Sequence, residues 1–406
     1  MLQGNKMQSA QSILTSTDKF HIDLGLERTL LALERLNNPQ DYINFIHVAG
    51  TNGKGSVCAM LNEILCEHFL NTNVKVGLFT SPHLFSYCER IKINNVPITC
   101  DDLDKYIKIA LEAGEELTEF ELLSVAAMKY FYDKNVKYVI LEVGLGGRYD
   151  STNVIKKPIC SVITTIDFDH TARLGSTIDE IAYQKAGIIK HNCPTVVSVD
   201  NKGYGVIKSC ANKQNSPLYT VENNLKIEFD GKNNYVYING KKLPFSLLGD
   251  WQSQNLALVL EAVKTLPFKV SEQTVADAIK KVKWRFRLEY DRDKNLLIDG
   301  AHNPSGIRAL RDFLDKYFKN EKKTFIFGCL NNKDYEKMLE ILLNEGDELY
   351  FYEFDYPNAL KYEQLPDNIK QRSQKTCDPR KILDEKQNLK VVCGSLYMLG
   401  KLFNAG

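Results

Sequence analysis

Short apolar runs alternate with longer amphipathic runs along most of the chain, and this alternation constrains the fold more than any other feature. The apolar runs include NFIHVAG at 44–50 and KYVILEVG at 137–144, which have the length and composition of buried strands. The runs at 101–116 and 119–134 have the length and spacing of amphipathic helices. Strands that alternate with helices predict an α/β fold with a mostly parallel, doubly wound sheet.

The alternation changes character twice, and these changes predict how the chain is divided. Asp230-Gly231 stands between alternating apolar residues within 226–240, which predicts a small antiparallel hairpin at the margin of the first domain. A second alternating block follows Trp284 and includes a helix that starts at Pro304. We therefore predict a larger domain at 1–284, which carries the antiparallel element, and a smaller Rossmann-like α/β domain at 285–406.

Charge and composition exclude several classes of protein. With 52 basic and 51 acidic side chains the formal charge is +1, so we expect neither nucleic acid nor a membrane surface as a partner. No stretch reaches the ~18 apolar residues of a membrane span, and the first residues lack the apolar core of a signal peptide. None of the ten cysteines is spaced as C-x-x-C, which favours buried, reduced thiols over a zinc or redox motif. We expect a cytoplasmic, monomeric enzyme.

A glycine-rich loop joins the first predicted strand to the helical run that follows it. Its glycines let backbone N–H groups turn toward an anion, and Lys54, as a solvated charge, adds a cation for β- and γ-phosphates. The order departs from G-x-x-x-x-G-K-[ST], because only two residues separate Gly50 from Gly53, and an ordinary strand-to-helix turn is the alternative. The predicted P-loop for ATP comprises Gly50, Thr51, Asn52, Gly53, Lys54, Gly55 and Ser56.

Polar residues follow four predicted strands of the first domain. The P-loop follows the first strand, Ser81 follows the second, Glu142 ends the third, and Asp169-His170 follows the fourth. Ligands of open α/β sheets bind beyond the carboxyl ends of the strands, so these four clusters predict one site at one edge of the sheet. A carboxylate beside a bound triphosphate is a natural Mg²⁺ ligand, which fits Glu142; a salt bridge at the strand end is the alternative.

Several longer strings resemble those of the Mur ligase superfamily, and in particular its folylpolyglutamate synthase and dihydrofolate synthase branch. They are GTNGKGS at 50–56, EVGLGGRYDSTN at 142–153, KAGIIK at 185–190 and DGAHNP at 299–304. Two strings depart from the family, because Trp251 stands in place of a His and Arg285-Phe286 stands in place of Pro-Gly. The resemblance covers nearly the whole chain and implies an N-terminal P-loop ATPase domain followed by a Rossmann-like ligase domain.

The resemblance also implies roles for individual residues. It implies two Mg²⁺ ions, held by Ser81, Glu142, His170 and Lys185, the last as a carbamate. It implies a pterin or folate site at Thr118, Glu119, Phe120, Glu121, Tyr149, Asp150 and Ser151. It implies further ATP contacts at Asn255, Arg287 and Asp299, with Arg285 as an alternative to Arg287. It implies catalytic roles for Lys54, Lys185, Asp299 and His302.

The reaction that the resemblance implies is ATP-dependent addition of L-glutamate to dihydropteroate and to the γ-carboxylate of reduced folates, through an acyl phosphate. A single-activity folylpolyglutamate synthase is an alternative. A cell-wall Mur-type ligase is another, but those enzymes carry a substrate domain before the ATP loop, and here only 49 residues precede Gly50. A P-loop regulatory ATPase is the remaining alternative, and it would not need the DGAHNP string.

Overall fold

The computed structural model describes Ser9, residues 12–14, residues 25–385 and residues 388–404. Packing separates these residues into two units. The first contains the described residues up to Asn223 together with Leu256–Ala278, and the second contains Asn224–Asn255 and the described residues from Ile279 onward. The boundary at residue 284 stays a prediction, and the packing of 224–255 with the second unit differs from the position that we predicted for the hairpin.

The first unit is built on an eight-stranded sheet in the order β4-β3-β2-β5-β1-β6-β7-β8. Strands β2, β5, β1, β6, β7 and β8 are parallel, and β3 and β4 form an antiparallel edge. This arrangement confirms the predicted α/β fold with a mostly parallel sheet. The strands are β1 (Asn44–Ala49), β2 (Lys75–Phe79), β3 (Ile91–Ile93), β4 (Val96–Pro97), β5 (Val136–Glu142), β6 (Cys160–Ile163), β7 (Thr195–Ser198) and β8 (Leu218–Val221).

The second unit contains a six-stranded sheet in the order β12-β13-β17-β14-β15-β16, in which the β12–β13 pair alone is antiparallel. It also contains a three-stranded antiparallel sheet, β11-β10-β9. The strands are β9 (Lys226–Phe229), β10 (Asn234–Ile238), β11 (Lys241–Pro244), β12 (Glu289–Asp291), β13 (Leu296–Ile298), β14 (Lys323–Phe327), β15 (Glu348–Tyr352), β16 (Ser373–Thr376) and β17 (Leu389–Cys393). The predicted hairpin is confirmed as β9 and β10, and β11 extends it.

Helix starts follow local capping chemistry. The Thr118 side chain accepts a hydrogen bond from the Glu121 N–H, the Glu121 carboxylate accepts from the Thr118 N–H, and the helix begins at Glu119. Asn303 caps the helix that begins at Pro304, as the proline predicts. The α-helices are Glu27–Arg35, Lys54–His68, Cys100–Ala113, Glu119–Asp133, Thr171–Leu174, Ile178–Lys185, Tyr204–Lys213, Gln252–Lys264, Glu272–Ile279, Pro304–Tyr317, Tyr335–Leu342, Asp367–Lys370, Arg380–Leu383 and Leu396–Phe403.

Separate apolar cores fill the two units. In the first, the aromatic rings of Phe45, Phe79 and Phe131 are fully buried in one cluster. In the second, Phe229 of the three-stranded sheet packs against the rings of Phe313 and Phe318, which explains why this sheet belongs to the second unit. Among the described helices, none combines the length and apolar character required to cross a membrane.

Candidate active site

The carboxyl ends of β2, β5, β1 and β6 lie side by side, because these four strands are consecutive neighbours and run parallel. The four polar clusters that the sequence places after these strands therefore share one edge of the sheet. This confirms the predicted convergence.

The glycine-rich loop is held by the backbone and side chains that follow β6. The Thr51 N–H donates to the Thr165 carbonyl at 2.7 Å, and the Thr51 hydroxyl donates to the Asp167 carbonyl at 3.0 Å. Gly50 has φ +154°, and a Cβ there would stand 1.7 Å from the Thr164 hydroxyl oxygen. Only glycine fits at Gly50, so the loop conformation depends on this close approach to Thr164.

The lysine of the loop is less solvated than we expected from the sequence. Lys54 is half-buried, and its Nζ donates to the carbonyl oxygens of Gly50 at 3.0 Å and Thr51 at 3.2 Å. The ammonium group that we assign to the phosphates is thus held by two carbonyls of its own loop.

Lys185 is the second lysine at this loop. It ends the helix Ile178–Lys185, is buried, and donates from Nζ to the Gly50 carbonyl at 2.8 Å. Burial first, and the charge of Lys54 second, lower the pKa of Lys185 from 10.5 to about 7, whereas Asp169 and Asp150 act in the opposite direction. The alternative of a solvated helix lysine is therefore wrong, and Lys185 is a partly neutral amine beside the phosphate loop at pH 7.

Glu142 ends β5 as a buried carboxylate, and one of its oxygens accepts the Ser81 N–H at 3.1 Å. The charges of Glu142 and Lys54 both act on the thiol of Cys58. Burial raises the pKa of this thiol, Glu142 raises it further, and Lys54 lowers it, so Glu142 and Lys54 both lie near Cys58. Ser81 and Glu142 thus meet at the carboxyl ends of β2 and β5, and the Glu142 carboxylate supplies oxygen atoms of the kind that Mg²⁺ prefers.

His170 and the residues around it do not complete a metal cluster in this structure. Its side chain is 40% exposed, its backbone has φ +52°, and its Nε2 lies 3.8 Å from the Asp169 carboxylate. Over the described ranges, no group of three or more His, Cys, Asp or Glu side chains is arranged to hold a metal ion. The predicted metal-binding set of Ser81, Glu142, His170 and Lys185 therefore stays a prediction. Within this set, the structure shows a hydrogen bond between Ser81 and Glu142.

The predicted pterin segment at Thr118–Glu121 is tied to two arginines. Arg28 donates from Nε and Nη2 to the two oxygens of the Glu121 carboxylate, at 3.2 and 3.0 Å. Arg90 lies 3.6 Å from the buried Glu119 carboxylate and donates from Nε to His83 Nδ1 at 2.9 Å. Phe120 packs its ring 5.8 Å from that of Phe79. Sequence reasoning missed Arg28 and Arg90, because their partners are distant in the chain.

Asp150 is buried and organises the loop that follows β5. Its carboxylate accepts from the Leu145 N–H at 2.8 Å and from both the N–H and the hydroxyl of Thr152. Burial raises its pKa, and these hydrogen bonds oppose the shift. Of the neighbouring predicted pterin residues, Tyr149 is exposed, whereas Ser151 is buried and bonds to the Ser124 hydroxyl at 2.7 Å.

A buried histidine supports Asp150 from β1. His47 Nε2 lies 2.9 Å from the Thr152 hydroxyl oxygen, and that hydroxyl donates to Asp150. His47 must then donate from Nε2, which leaves Nδ1 as a buried acceptor that has no hydrogen-bond partner among the described residues. Burial, aided by the charge of Lys190, lowers the pKa of His47 from 6.5 to about 3. The run NFIHV offers a signal for this residue, because a histidine inside an apolar strand must be buried.

In the second unit, the DGAHNP string follows β13 as predicted. The Asp299 carboxylate is buried and accepts from the Leu288 and Ala301 N–H groups, each at 2.8 Å. Burial raises its pKa from 3.8 to about 6, and the charge of Arg287 opposes the shift. His302 donates from Nδ1 to the Gly300 carbonyl at 2.8 Å, since a carbonyl can only accept.

The segment before β12 contains two residues with positive φ, at and next to the position where Arg285-Phe286 replaces the family's Pro-Gly. Phe286 and Leu288 have φ of +58° and +53°, and the Phe286 carbonyl accepts from the Gly300 N–H at 2.8 Å. Phe286 is fully buried and packs 5.5 Å from Phe403. Of the two arginines, Arg285 pairs with Glu289 at 3.2 Å, whereas Arg287 exerts its charge on Asp299. The contact of Arg287 with ATP, and Arg285 as its alternative, stay predictions.

Residues Leu248–Asn255 are held within the second unit. Trp251, which replaces the family histidine, packs 6.5 Å from the ring of Phe313 and lies against Gly249. The Asp250 carboxylate receives the Lys316 ammonium at 2.9 Å. Asn255 is buried and donates to the Gln252 side chain at 2.8 Å. Trp251 has a packing role here, and the predicted contact of Asn255 with ATP stays a prediction.

The chain matches two families of protein domains. Residues 48–263 match the Mur ligase middle domain, and residues 283–405 match the dihydrofolate synthetase C-terminal domain. Among characterised sequences, the chain is 34% identical to the dihydrofolate synthetase of Saccharomyces cerevisiae, over 94% of this chain and 97% of that protein. It is 33% identical to the dihydrofolate synthase/folylpolyglutamate synthase of Bacillus subtilis, over 97% of this chain and 98% of that protein.

Solved structures agree with the sequence relationships. E. coli FolC in complex with DHPP and ADP has a TM-score of 0.85 and 27% identity, and the match covers 97% of each chain. The bifunctional folylpolyglutamate synthase/dihydrofolate synthase of Yersinia pestis, complexed with AMPPNP and Mn ion, also has a TM-score of 0.85, with 26% identity over 100% of this chain and 99% of that chain. The chain therefore belongs to the folylpolyglutamate synthase/dihydrofolate synthase family of ATP-dependent ligases.

Proposed function

We propose that the protein joins L-glutamate to the carboxylate of dihydropteroate and to the γ-carboxylate of reduced folates, with ATP as the energy source. The observation that carries this proposal is the convergence of Lys54, Lys185 and the loop carbonyl of Gly50. The match of residues 283–405 to the dihydrofolate synthetase C-terminal domain favours dihydropteroate as one of the acids.

The proposed reaction requires positive charge at the glycine-rich loop. A substrate carboxylate attacks the γ-phosphate, so one anion must approach another, and an acyl phosphate and ADP form. Lys54 and the backbone N–H groups at the start of the helix Lys54–His68 neutralise phosphate charge where it develops. The glutamate amine then attacks the acyl carbon, and phosphate leaves.

We assign Mg²⁺ to the pair Ser81 and Glu142. The donor set fits, because Glu142 is a buried carboxylate held by the Ser81 N–H beside the loop, and oxygen atoms are the ligands that this ion prefers. A bound Mg²⁺ would screen the phosphate oxygens and polarise the γ-phosphorus. His170 is a further proposed Mg²⁺ ligand, and a carbamate on Lys185 is the proposed ligand of a second ion.

Two regions are the proposed binding sites for the acid and the amino acid. The Thr118–Glu121 helix start and the Asp150 loop are fixed by Arg28, Arg90 and Thr152, so both present a preorganised surface for a pterin. In the second unit, Asp299, His302 and Arg287 are the proposed contacts for nucleotide and glutamate. The cytoplasmic location and monomeric state stay predictions.

Both additions use the same amine and the same acyl phosphate, but the two acids differ in length by one glutamate. A single pterin position cannot bring both carboxylates within the roughly 3–3.5 Å of the γ-phosphate that attack requires. Dual activity therefore requires two pterin positions or a movable segment such as Ser81–Leu84.

The test measures transfer of radiolabelled glutamate by the purified protein, with saturating ATP and Mg²⁺, onto dihydropteroate or onto a reduced folate monoglutamate. We expect labelled product from both acids. Product from only one acid contradicts dual activity and leaves the ligase assignment intact. Product from neither, with ATP turnover that ignores both acids and glutamate, favours the regulatory ATPase.

A further inference from the structure

The thiols of Cys88 and Cys100 lie close together outside the catalytic clusters. Their sulfur atoms are 3.7 Å apart, Cys88 is buried, and Cys100 is exposed. The strands β3 and β4 separate the two cysteines in the chain, and Cys100 is the first residue of the helix Cys100–Ala113. Both residues carry free thiols in this structure.

The geometry suits formation of a bond between these sulfurs. A disulfide requires a separation of about 2.05 Å, so the two sulfur atoms must approach by less than ~2 Å. The antiparallel pairing of Ile93 with Val96 brings the chain before β3 and the chain after β4 together. Rotation of the exposed Cys100 side chain can supply the approach, because this side chain is the less confined of the two.

The two sulfur atoms differ in their exposure to solvent, and this difference gives them different roles in an oxidation. Cys100 is open to solvent in the first turn of the helix Cys100–Ala113. Burial is the largest influence on Cys88 and raises the pKa of its thiol. An oxidant from solvent therefore meets Cys100 first, whereas the burial of Cys88 shields its thiol from direct attack.

We propose that Cys88 and Cys100 are a redox-modification site that closes to a disulfide when the protein meets a hydroperoxide. The Cys100 thiolate attacks the peroxide oxygen, forms a sulfenic acid and releases hydroxide or alkoxide. The Cys88 sulfur then attacks the Cys100 sulfur, the S–O bond breaks, and the Cys88 proton leaves with the hydroxyl group as water. Two thiols are oxidised to one disulfide, and one peroxide is reduced. A thiol reductant reverses the change.

The position of Cys88 links this oxidation to the loop that follows β2. Cys88 lies in the short helix Tyr87–Arg90, in which Glu89 accepts the N–H groups of Leu84, Phe85 and Ser86 at 2.7–3.0 Å. The adjacent Arg90 contacts both His83 and Glu119. A disulfide would tie this anchor to the helix Cys100–Ala113, so oxidation should change how the enzyme binds its acid. This consequence rests on the proposed function, whereas the disulfide itself does not.

Peptide mapping tests the disulfide directly. The whole protein is treated with hydrogen peroxide, its remaining thiols are alkylated, and the digest is analysed by mass spectrometry with and without reductant. We expect a Cys88–Cys100 linked peptide that reductant removes, and its loss in both Cys100→Ser and Cys88→Ser. Cys377→Ser is the matched control, because Cys377 is also exposed and its loss should leave the link unchanged. If Cys377 becomes oxidised while Cys88 and Cys100 remain alkylated, the proposal is overturned.

A kinetic comparison tests the consequence for the enzyme. We expect oxidation to raise the KM for the acid severalfold in the parent and in Cys377→Ser, with the KM for ATP unchanged, and to leave Cys100→Ser unaffected. An unchanged KM in a fully linked protein would overturn the regulatory role. If the reduced protein forms no product, the proposed function fails, and the peptide map still decides whether the disulfide exists.

Discussion

The side chains of Lys54 and Lys185 both donate to the carbonyl oxygen of Gly50, at 3.0 and 2.8 Å. Burial disfavours the charged form of Lys185, and repulsion from the Lys54 ammonium adds to this effect, so the pKa of Lys185 falls to about 7. The resulting amine is about half neutral at pH 7, whereas an ordinary lysine with a pKa near 10.5 is almost entirely charged.

Lys185 is therefore expected to react with carbon dioxide and carry a carbamate when bicarbonate is present. Only the neutral amine reacts, so the modification should persist above about pH 7 and decline below it, as the ammonium form takes over. A carbamate would also convert the repulsion from Lys54 into attraction. The carbamate is measured by ¹³C NMR of protein equilibrated with ¹³C-bicarbonate at pH values from about 6 to about 9.

Two comparisons decide whether the signal belongs to Lys185. It should be absent from Lys185→Gln and present in a variant of an exposed lysine, Lys202→Gln. A plain amine at Lys185 in a high-resolution structure with Mg²⁺ and nucleotide bound would contradict the prediction.

Replacement of Lys54 by alanine should abolish most ligation with little effect on folding. In the structure the Lys54 Nζ donates to carbonyl oxygens of its own loop, so its loss should cost little stability. Loss of one electrostatic contact to a transition state lowers the rate by about 10²–10³, so its loss should cost most of the activity. Glutamate transfer and urea unfolding are measured together, with the exposed Lys137→Ala as the control. Near-normal turnover in Lys54→Ala would show that the loop assignment is wrong.

His47 should make the protein less stable as pH falls from about 6.5 toward 3. The unfolded histidine binds a proton near pH 6.5, whereas the folded one does so only near pH 3, so acid favours the unfolded chain between these values. At pH 5 the loss amounts to about 2 kcal/mol of the free energy of unfolding. Urea unfolding at pH 7 and pH 5 measures it.

The variant His47→Gln isolates this contribution, because a glutamine N–H can still donate to Thr152 but does not titrate. Its stability should fall less than that of the parent between the two pH values. The exposed His191→Gln should keep the parent's pH dependence. An identical dependence in His47→Gln and the parent would refute the assignment.

At position 286 we expect the glycine variant to be more stable than the alanine variant, which is the reverse of their order inside a helix. The Phe286 backbone has φ +58°, where a non-glycine residue pays roughly 1–2 kcal/mol, and its fully buried ring offsets this cost. Phe286→Ala and Phe286→Gly both lose the ring contact, at about 3–5 kcal/mol, but the glycine variant should be more stable than the alanine variant by about 1 kcal/mol. Urea unfolding measures both.

Phe313 supplies the matched pair. It is equally aromatic and buried but lies inside the helix Pro304–Tyr317, where alanine should be more stable than glycine by about 1 kcal/mol. If the glycine variant is the less stable one at both positions, the left-handed turn at Phe286 is not strained.

Local patterns were sufficient to predict most of the secondary structure. The alternation of apolar and amphipathic runs predicted the parallel sheet, Asp230-Gly231 predicted the β9–β10 hairpin, and Pro304 predicted a helix start. These succeeded because strand periodicity, turn conformation and helix capping depend on neighbours within a few residues. Polar clusters follow four of the predicted strands, and this pattern predicted that the clusters share one edge of the sheet, because parallel strands place their carboxyl ends together.

Contacts between distant residues could be decided only by the tertiary structure. The sequence places Lys185 on a helix without showing its depth, and burial against the Gly50 carbonyl is what lowers its pKa. Likewise, Arg28 reaches Glu121, and His47 supports Asp150 through Thr152, because folding brings separate elements into contact. Charge, protonation and hydrogen bonding at a site depend on burial and on neighbours from elsewhere in the chain, so the sequence determined which groups are present and the fold determined their chemistry.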